Sequence, residues 1–360
     1  MSTDTRLLPW LAPALARGLA LRAHALLLHG PGQVGQLELG LGLARGWLCE
    51  TADTSRGEPA CGQCHSCHLM GSRSHPDFLL LMPQALRESL GWSAVEDGDD
   101  AGGAKASKAK PSREIRIDAV RSAIDWGHKT ATRGRAKVIL IHPAQALNAV
   151  AANALLKTLE EPAGRLRMVL TAHDPEALLP TVRSRCQRLQ IDLPAPEVSV
   201  AWLAEQGVDG AAVLLAAAGG QPLEALALRA DGIDAAAWQA LPGAVLRGQA
   251  APIAGWPLGR LVDALQKLCH DLLLLRTAAG LRPRYFDAAT LQPLVKGALP
   301  SAPALAQWAA ELLLAARHDE HPWHAGLRSE ALIARGARLW QTPRSEPGAG
   351  LPSLATLDAR

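Results

Sequence analysis

The run Leu26-Leu27-Leu28-His29-Gly30-Pro31-Gly32-Gln33-Val34-Gly35-Gln36-Leu37 constrains this chain more than any other: an apolar strand enters a glycine-spaced turn and leaves it as a helix. That is the outline of a phosphate-binding P-loop, whose glycines let the backbone turn tightly into the helix N-terminus. A working P-loop also needs a lysine for the β- and γ-phosphates and a hydroxyl residue for Mg²⁺. Gln36 and Leu37 stand in those two places. Gly30, Gly32, Gly35, Gln36 and Leu37 therefore read as a loop that keeps its shape and binds no ATP.

The second half of an ATPase site fails in the same way. The β-branched strand Lys137-Val138-Ile139-Leu140-Ile141 ends on His142 and Pro143, where such an enzyme places an acid for Mg²⁺ and often another to activate water. Proline can neither hold a metal nor take a proton. Apolar strands followed by turns are common, so these two segments alone leave open that neither was ever an ATPase element.

Further along, Asn148 to Pro162 has the marks of a capped helix: Asn148 as the cap, apolar residues at helical spacing, and Pro162 as the stop. Arg167 to Ala172 follows as a buried-type strand, and Leu178 to Cys186 comes after a short turn. The words Ala151-Ala152-Asn153-Ala154-Leu155-Leu156-Lys157-Thr158-Leu159-Glu160-Glu161-Pro162 and Ser184-Arg185-Cys186 closely resemble the AAA+ clamp-loader family. Pro9-Trp10-Leu11-Ala12-Pro13, the altered P-loop and a four-cysteine insert match as well. The resemblance is strong over the N-terminal half, and beyond it rests on helical character and length.

This resemblance implies an α/β AAA+ fold: a RecA-like P-loop core on a parallel sheet, with a zinc-binding insertion, a small helical lid and an all-α C-terminal collar. It implies a subunit without catalysis of its own, in a heteropentameric ring with delta and gamma/tau subunits. That ring loads the sliding clamp onto primer-template DNA, while polymerisation belongs to other chains. Active members carry lysine at the position of Gln36 and Asp-Glu at those of His142 and Pro143. By the same resemblance, Arg185 in Ser184-Arg185-Cys186 is the arginine that reaches into the ATP site of an adjoining subunit, where its fixed charge and rigid fork stabilise a transferring phosphoryl group. Taken alone, Arg185 reads as a surface arginine at a strand start. Arg183 is close enough to share the role. Glu160 and Glu161 either lie at the same subunit boundary or form a helix C-terminal pair.

Cys49, Cys61, Cys64 and Cys67 form C-x11-C-x2-C-x2-C, a spacing that lets four thiolates converge on one structural Zn²⁺ in a loop too polar to bury a core. A rival motif overlaps it, since Cys61-Gly62-Gln63-Cys64-His65 and Cys64-His65-Ser66-Cys67-His68 both fit haem attachment. Haem attachment requires export, and the apolar start is broken by Pro9 and Pro13, so a reducing cytoplasm is expected. His65, His68 and His75 are expected on the surface of the cysteine loop, and Cys186 in core packing. Two further readings stay open: an active AAA+ ATPase with unusual ligands, and a zinc-dependent DNA-binding module. Against the latter stand a net charge of only +3 and the lack of a basic cluster beside the cysteines in sequence.

A chain of 360 residues holds two or three domains. The expected division is 1–193 for the P-loop-like domain with the zinc module at 49–67, 194–240 for the lid, 241–345 for the collar, and 346–360 for a frayed tail. Residues 84–112 turn acidic, then rich in Gly, Ala and Lys, and are expected to be an unstructured insertion. In related ATPases the lid carries a nucleotide-sensing arginine near a turn like Gly219-Gly220-Gln221-Pro222, and none is present here. Leu261, Leu265, Leu268, Leu272 and Leu275 form an apolar stripe that reads as a bundle core. No apolar run reaches the roughly 18 residues of a membrane span, so no membrane partner is expected.

Overall fold

Residues 7–92, 111–277, 281–296, 299–317 and 325–341 are described by the computed structural model of the chain. They divide into two compact units, one of Met1–Trp202 with Gln221–Leu223, the other of Leu203–Gly220 with Glu224–Arg360.

Five parallel strands form the centre of the first unit: β1 (Ala25–His29), β2 (Phe78–Leu81), β3 (Lys137–Ile141), β4 (Leu166–Ala172) and β5 (Gln187–Gln190), in the order β2-β3-β4-β1-β5. Strands β1, β3 and β4 are nearly continuous apolar runs because helices cover both faces. Alternate residues feed two cores. Leu26, Leu28, Val138, Leu140 and Val169 pack with α1 (Ala12–Ala20) and α2 (Gln36–Leu48). Leu27, Ile139, Ile141, Met168 and Leu170 pack on the other side with α5 (Ile117–His128) and α6 (Ala149–Glu160). Three short helices, α3 (His65–Gly71), α4 (Gln84–Ser89) and α7 (Pro180–Arg183), and the longer α8 (Pro196–Glu205) complete the run. A P-loop-like turn between the inner strand β1 and α2, on a parallel sheet of this order, bears out the expected α/β AAA+ class.

Helix α6 forms where the sequence places it. Asn148 caps it, its side-chain oxygen accepting from the Ala151 N–H at 2.9 Å. One expectation is corrected: the start of the 84–112 segment is not unstructured, because residues 84–89 form α4, whose Leu86 packs on the core together with Leu90 and Trp92 just beyond it. Residues 93–110 of that segment, and the expected tail at 346–360, lie outside the described residues.

The second unit is helical throughout its described residues, with α9 (Ala211–Ala217), α10 (Pro222–Ala230), α11 (Ala235–Arg247), α12 (Leu258–Thr277), α13 (Ala288–Lys296), α14 (Ala302–Arg317) and α15 (Ala325–Gln341). The leucine stripe is its core: Leu261, Leu265, Leu268 and Leu272 are fully buried on α12, which packs against Leu305, Trp308 and Leu312 of α14. The buried Asp271 carboxylate accepts three backbone N–H groups, from Arg284, Tyr285 and Phe286 at 2.8–3.0 Å, and so ties the following loop to α12. No single described helix is long and apolar enough to cross a membrane.

Candidate functional site

The altered P-loop keeps its backbone path by using glycine where nothing else fits. Gly30 has φ +153°, and a Cβ there would sit 2.0 Å from the Ile191 carbonyl oxygen. At Gly35, φ is +104°, and a Cβ would lie 2.7 Å from Leu8 Cδ1 and 2.8 Å from Leu11 Cδ1. The Trp10 indole N–H donates to Val34 O at 2.8 Å and pins the loop from outside. Inside it, Gln36 is 7% exposed, and its amide donates to the Gly30 carbonyl at 3.2 Å and to the Pro31 carbonyl. The group at the lysine position thus folds back onto loop carbonyls. Leu37 packs against the core under α1 and α2. Residues Gln221–Leu223 return to the loop, where the Leu223 N–H donates to Gln33 O at 3.2 Å.

At the end of β3, the His142 N–H donates to Leu81 O at 2.9 Å. The Thr171 hydroxyl donates to Ile141 O at 3.3 Å, which leaves its oxygen to accept from His142 Nδ1–H at 2.7 Å. Burial, reinforced by His173, pushes the His142 imidazole down to about 4, so it is neutral near pH 7. A neutral ring whose Nδ1 proton is already engaged supplies no charge for Mg²⁺. Sequence reasoning missed Thr171, although a hydroxyl inside the otherwise apolar run Met168 to Ala172 of β4 was the available signal.

The four cysteines do converge. Helix α2 ends with the Cys49 N–H bonded to Arg45 O, which delivers the first thiol, and Cys64 caps α3 with its sulfur accepting from Cys67 N–H at 3.4 Å. All four Sγ atoms lie within 4.8 Å of one another, and the Cys49–Cys64 and Cys61–Cys67 separations are both 3.9 Å. Four thiolates at a Zn–S distance of about 2.3 Å stand about 3.8 Å apart in a tetrahedron, so this donor set fits a four-coordinate soft cation. The Cys61 thiol is drawn down to about 6 by the Thr51 hydroxyl and the Gln63 and Cys64 N–H groups. Glu50 holds the module to the core, accepting from Ser66 and from Arg133 at 2.6 Å. His65 and His68 are exposed as expected, but His75 is not: it is 5% exposed, and its Nδ1 accepts the Asp77 N–H in the turn before β2.

Arg185 lies between α7 and β5. Its Nε donates to Glu160 Oε1 at 2.5 Å and one terminal nitrogen to Thr181 O at 2.9 Å, and its side chain remains 31% exposed. Arg183 is more deeply held, paired with Glu176 and only 16% exposed. Ser184 is exposed and bonds Thr181 O, while burial pushes the Cys186 thiol up to about 12, which leaves it an inert core group. The parallel register Leu26↔Gln187 to His29↔Gln190 puts Arg185 before the first residue of its strand and Gly30 after the last of the adjacent one. About 15 Å of strand separates the two ends.

Comparison with known proteins adds the following. The family profile described as "DNA polymerase III, delta subunit" matches residues 15–195. A DNA polymerase III subunit delta′ from Pseudomonas aeruginosa is 35% identical over 258 residues, covering 68% of this chain and 70% of that protein. The subunit delta′ of Escherichia coli strain K12 is 31% identical over 282 residues, covering 72% and 76%. A DNA polymerase III subunit tau from the same organism is 33% identical over 187 residues, covering 51% of this chain and 24% of its own length.

Proposed function

This chain belongs to the delta-prime subunits of the DNA polymerase III clamp loader, and from that premise we propose that it serves as a non-hydrolysing member of the loader ring, lending Arg185 to a neighbour's ATP. The observation that carries this reading is the placement of Arg185 at the opposite end of the sheet from its own loop. From there it cannot reach a nucleotide held by Gly30 to Gly35, and it can reach one held by an adjoining subunit. Its pair with Glu160 is partly exposed, and such pairs contribute about 1 kcal/mol or less, so an incoming phosphoryl group can displace the carboxylate. Glu160 thus parks the guanidinium until a partner docks.

The chain's own loop is the silent half of the proposal. Gln36 is spent on loop carbonyls, Leu37 is half-buried against the core, and His142 is neutral and bonded to Thr171. Gln221, in the segment over the loop, offers no cation. The Cys49, Cys61, Cys64, Cys67 centre holds structural zinc, whose role is to fix a polar segment that has almost no core of its own. The partners are delta and gamma/tau subunits in a cytoplasmic ring that drives the sliding clamp onto primed DNA. Residues 194–240 form the lid of that arrangement and 241–345 its collar.

In a loader reconstituted with Arg185→Ala, ring assembly stays intact and clamp- and DNA-stimulated ATP hydrolysis falls. At the one site served by this residue the loss is at least a hundredfold, since arginines supplied in trans contribute about 10³–10⁵ in related phosphoryl transfers. Unchanged hydrolysis by an assembled ring would refute the role.

A further inference from the structure

The strand starts of the first unit gather a basic cleft that no single stretch of sequence announces. Arg22 and His24 lead into β1, Arg135 precedes β3, and Arg165 and Arg167 flank the first residue of β4. Together they line a cavity of about 420 Å³. The wall is completed by Trp47, by Pro162 and Gly164, and by the segment from Ala52 to Ser55, which lies between Cys49 and Cys61. A cluster of arginines therefore does sit beside the cysteine module, assembled in space.

Three of the four guanidiniums are anchored by backbone oxygens, and each spends only one nitrogen in doing so. Arg135 donates to Ala52 O at 2.9 Å, Arg165 to Gly134 O at 3.2 Å and Arg167 to Leu21 O at 3.5 Å. Among the described residues, no carboxylate pairs with any of the four. The single acid in the lining, Asp53, is engaged by Ser55 and by Arg56 at 3.5 Å. Arg167 lies 4.7 Å from the ring centre of Trp47, a buried residue of the same lining, and burial lowers its affinity for a proton without removing its charge. Carbonyl-tethered guanidiniums keep most of their five N–H donors free. Arg167 is partly desolvated without a carboxylate partner, which is costly unless an anion completes it.

We propose that this cleft binds the phosphate groups of a ligand, taken either from a nucleic-acid strand or from a free phosphorylated compound. Four arginines against one engaged aspartate leave three uncompensated charges, more than one carboxylate would answer, whereas a diphosphate or a run of successive phosphodiesters would. The cleft is separate from Arg185, which is not in its lining, so this inference stands or falls apart from the ring role.

The test uses the full chain with two probes at matched ionic strength: a fluorescent oligo-dT strand followed by anisotropy, and inorganic pyrophosphate followed by calorimetry. The variant is Arg22→Ala with Arg165→Ala, both at exposed positions, against a control that removes equal charge outside the cleft, Arg17→Ala with Arg121→Ala. The cleft variant should weaken binding at least tenfold and lower the salt slope for the strand by about 1 to 1.5, while the control changes little. Strand binding displaced by pyrophosphate identifies nucleic acid as the source, and pyrophosphate binding alone identifies a small phosphorylated compound. Binding of neither probe, equal loss in cleft variant and control, or poly-glutamate binding as tightly as pyrophosphate would overturn the proposal.

Discussion

Replacing Gly30 with alanine isolates the architectural role of a loop proposed to have lost its chemistry. The added Cβ would sit 2.0 Å from the Ile191 carbonyl oxygen. That residue cannot simply swing away, because its own N–H donates to His29 O at 2.8 Å, extending the β1–β5 pairing. Reaching an ordinary contact requires a shift of about 1 Å or more, and overpacking of this kind costs about 1–3 kcal/mol. A φ of +153° adds about 1 kcal/mol for a residue with a side chain. The sum, about 2–4 kcal/mol, corresponds to a Tm lower by roughly 5–15 °C for a unit of this size. Gly32 in the same loop is the internal control: a Cβ there meets nothing closer than 3.7 Å, so Gly32→Ala should stay within about 0.5 kcal/mol. Thermal melts and urea titrations followed by circular dichroism measure both. If the two alanines prove equally stable, the glycine at 30 is not held by sterics and the argument fails.

Other outcomes follow from the same geometry. Cys64→Ala removes one of four converging thiols and should lower zinc from about one per chain to a small fraction, with metal analysis of chelator-free protein as the readout. His142 supplies a pH dependence with a definite sign. Its pKa is depressed in the fold, so the unfolded chain takes up the proton first, and stability is lost as pH falls from 6.5 towards 4. The loss approaches about 3 kcal/mol, and His142→Asn should flatten that part of the stability profile relative to the parent.

Legibility followed range. Helix α6 was readable because its cap, its apolar spacing and its terminator are all local, and the cysteine centre because three of its four ligands lie within seven residues. Strand β5 was harder: it is four residues long with only Leu189 buried, too short for a period to show. The burial of His75 was missed because its neighbours are polar. Asp77, which bonds it, is itself buried with the Thr132 and Arg133 N–H groups and the Lys137 ammonium, all more than fifty residues away. The start of the 84–112 segment looked structureless by composition, yet Leu86 and Leu90 find a core supplied by other elements. The basic cleft left no trace in net charge, since its arginines come from the starts of three strands and stand near one another only once the sheet has formed.

The claim at the centre of the account is that the cradle between β1 and α2 is empty of chemistry. Calorimetric titration of the purified chain with ATP and Mg²⁺ tests it most directly. The account predicts no saturable binding at the γ-phosphate up to millimolar nucleotide and no hydrolysis above background; micromolar affinity with turnover, abolished by Gln36→Ala, would contradict it.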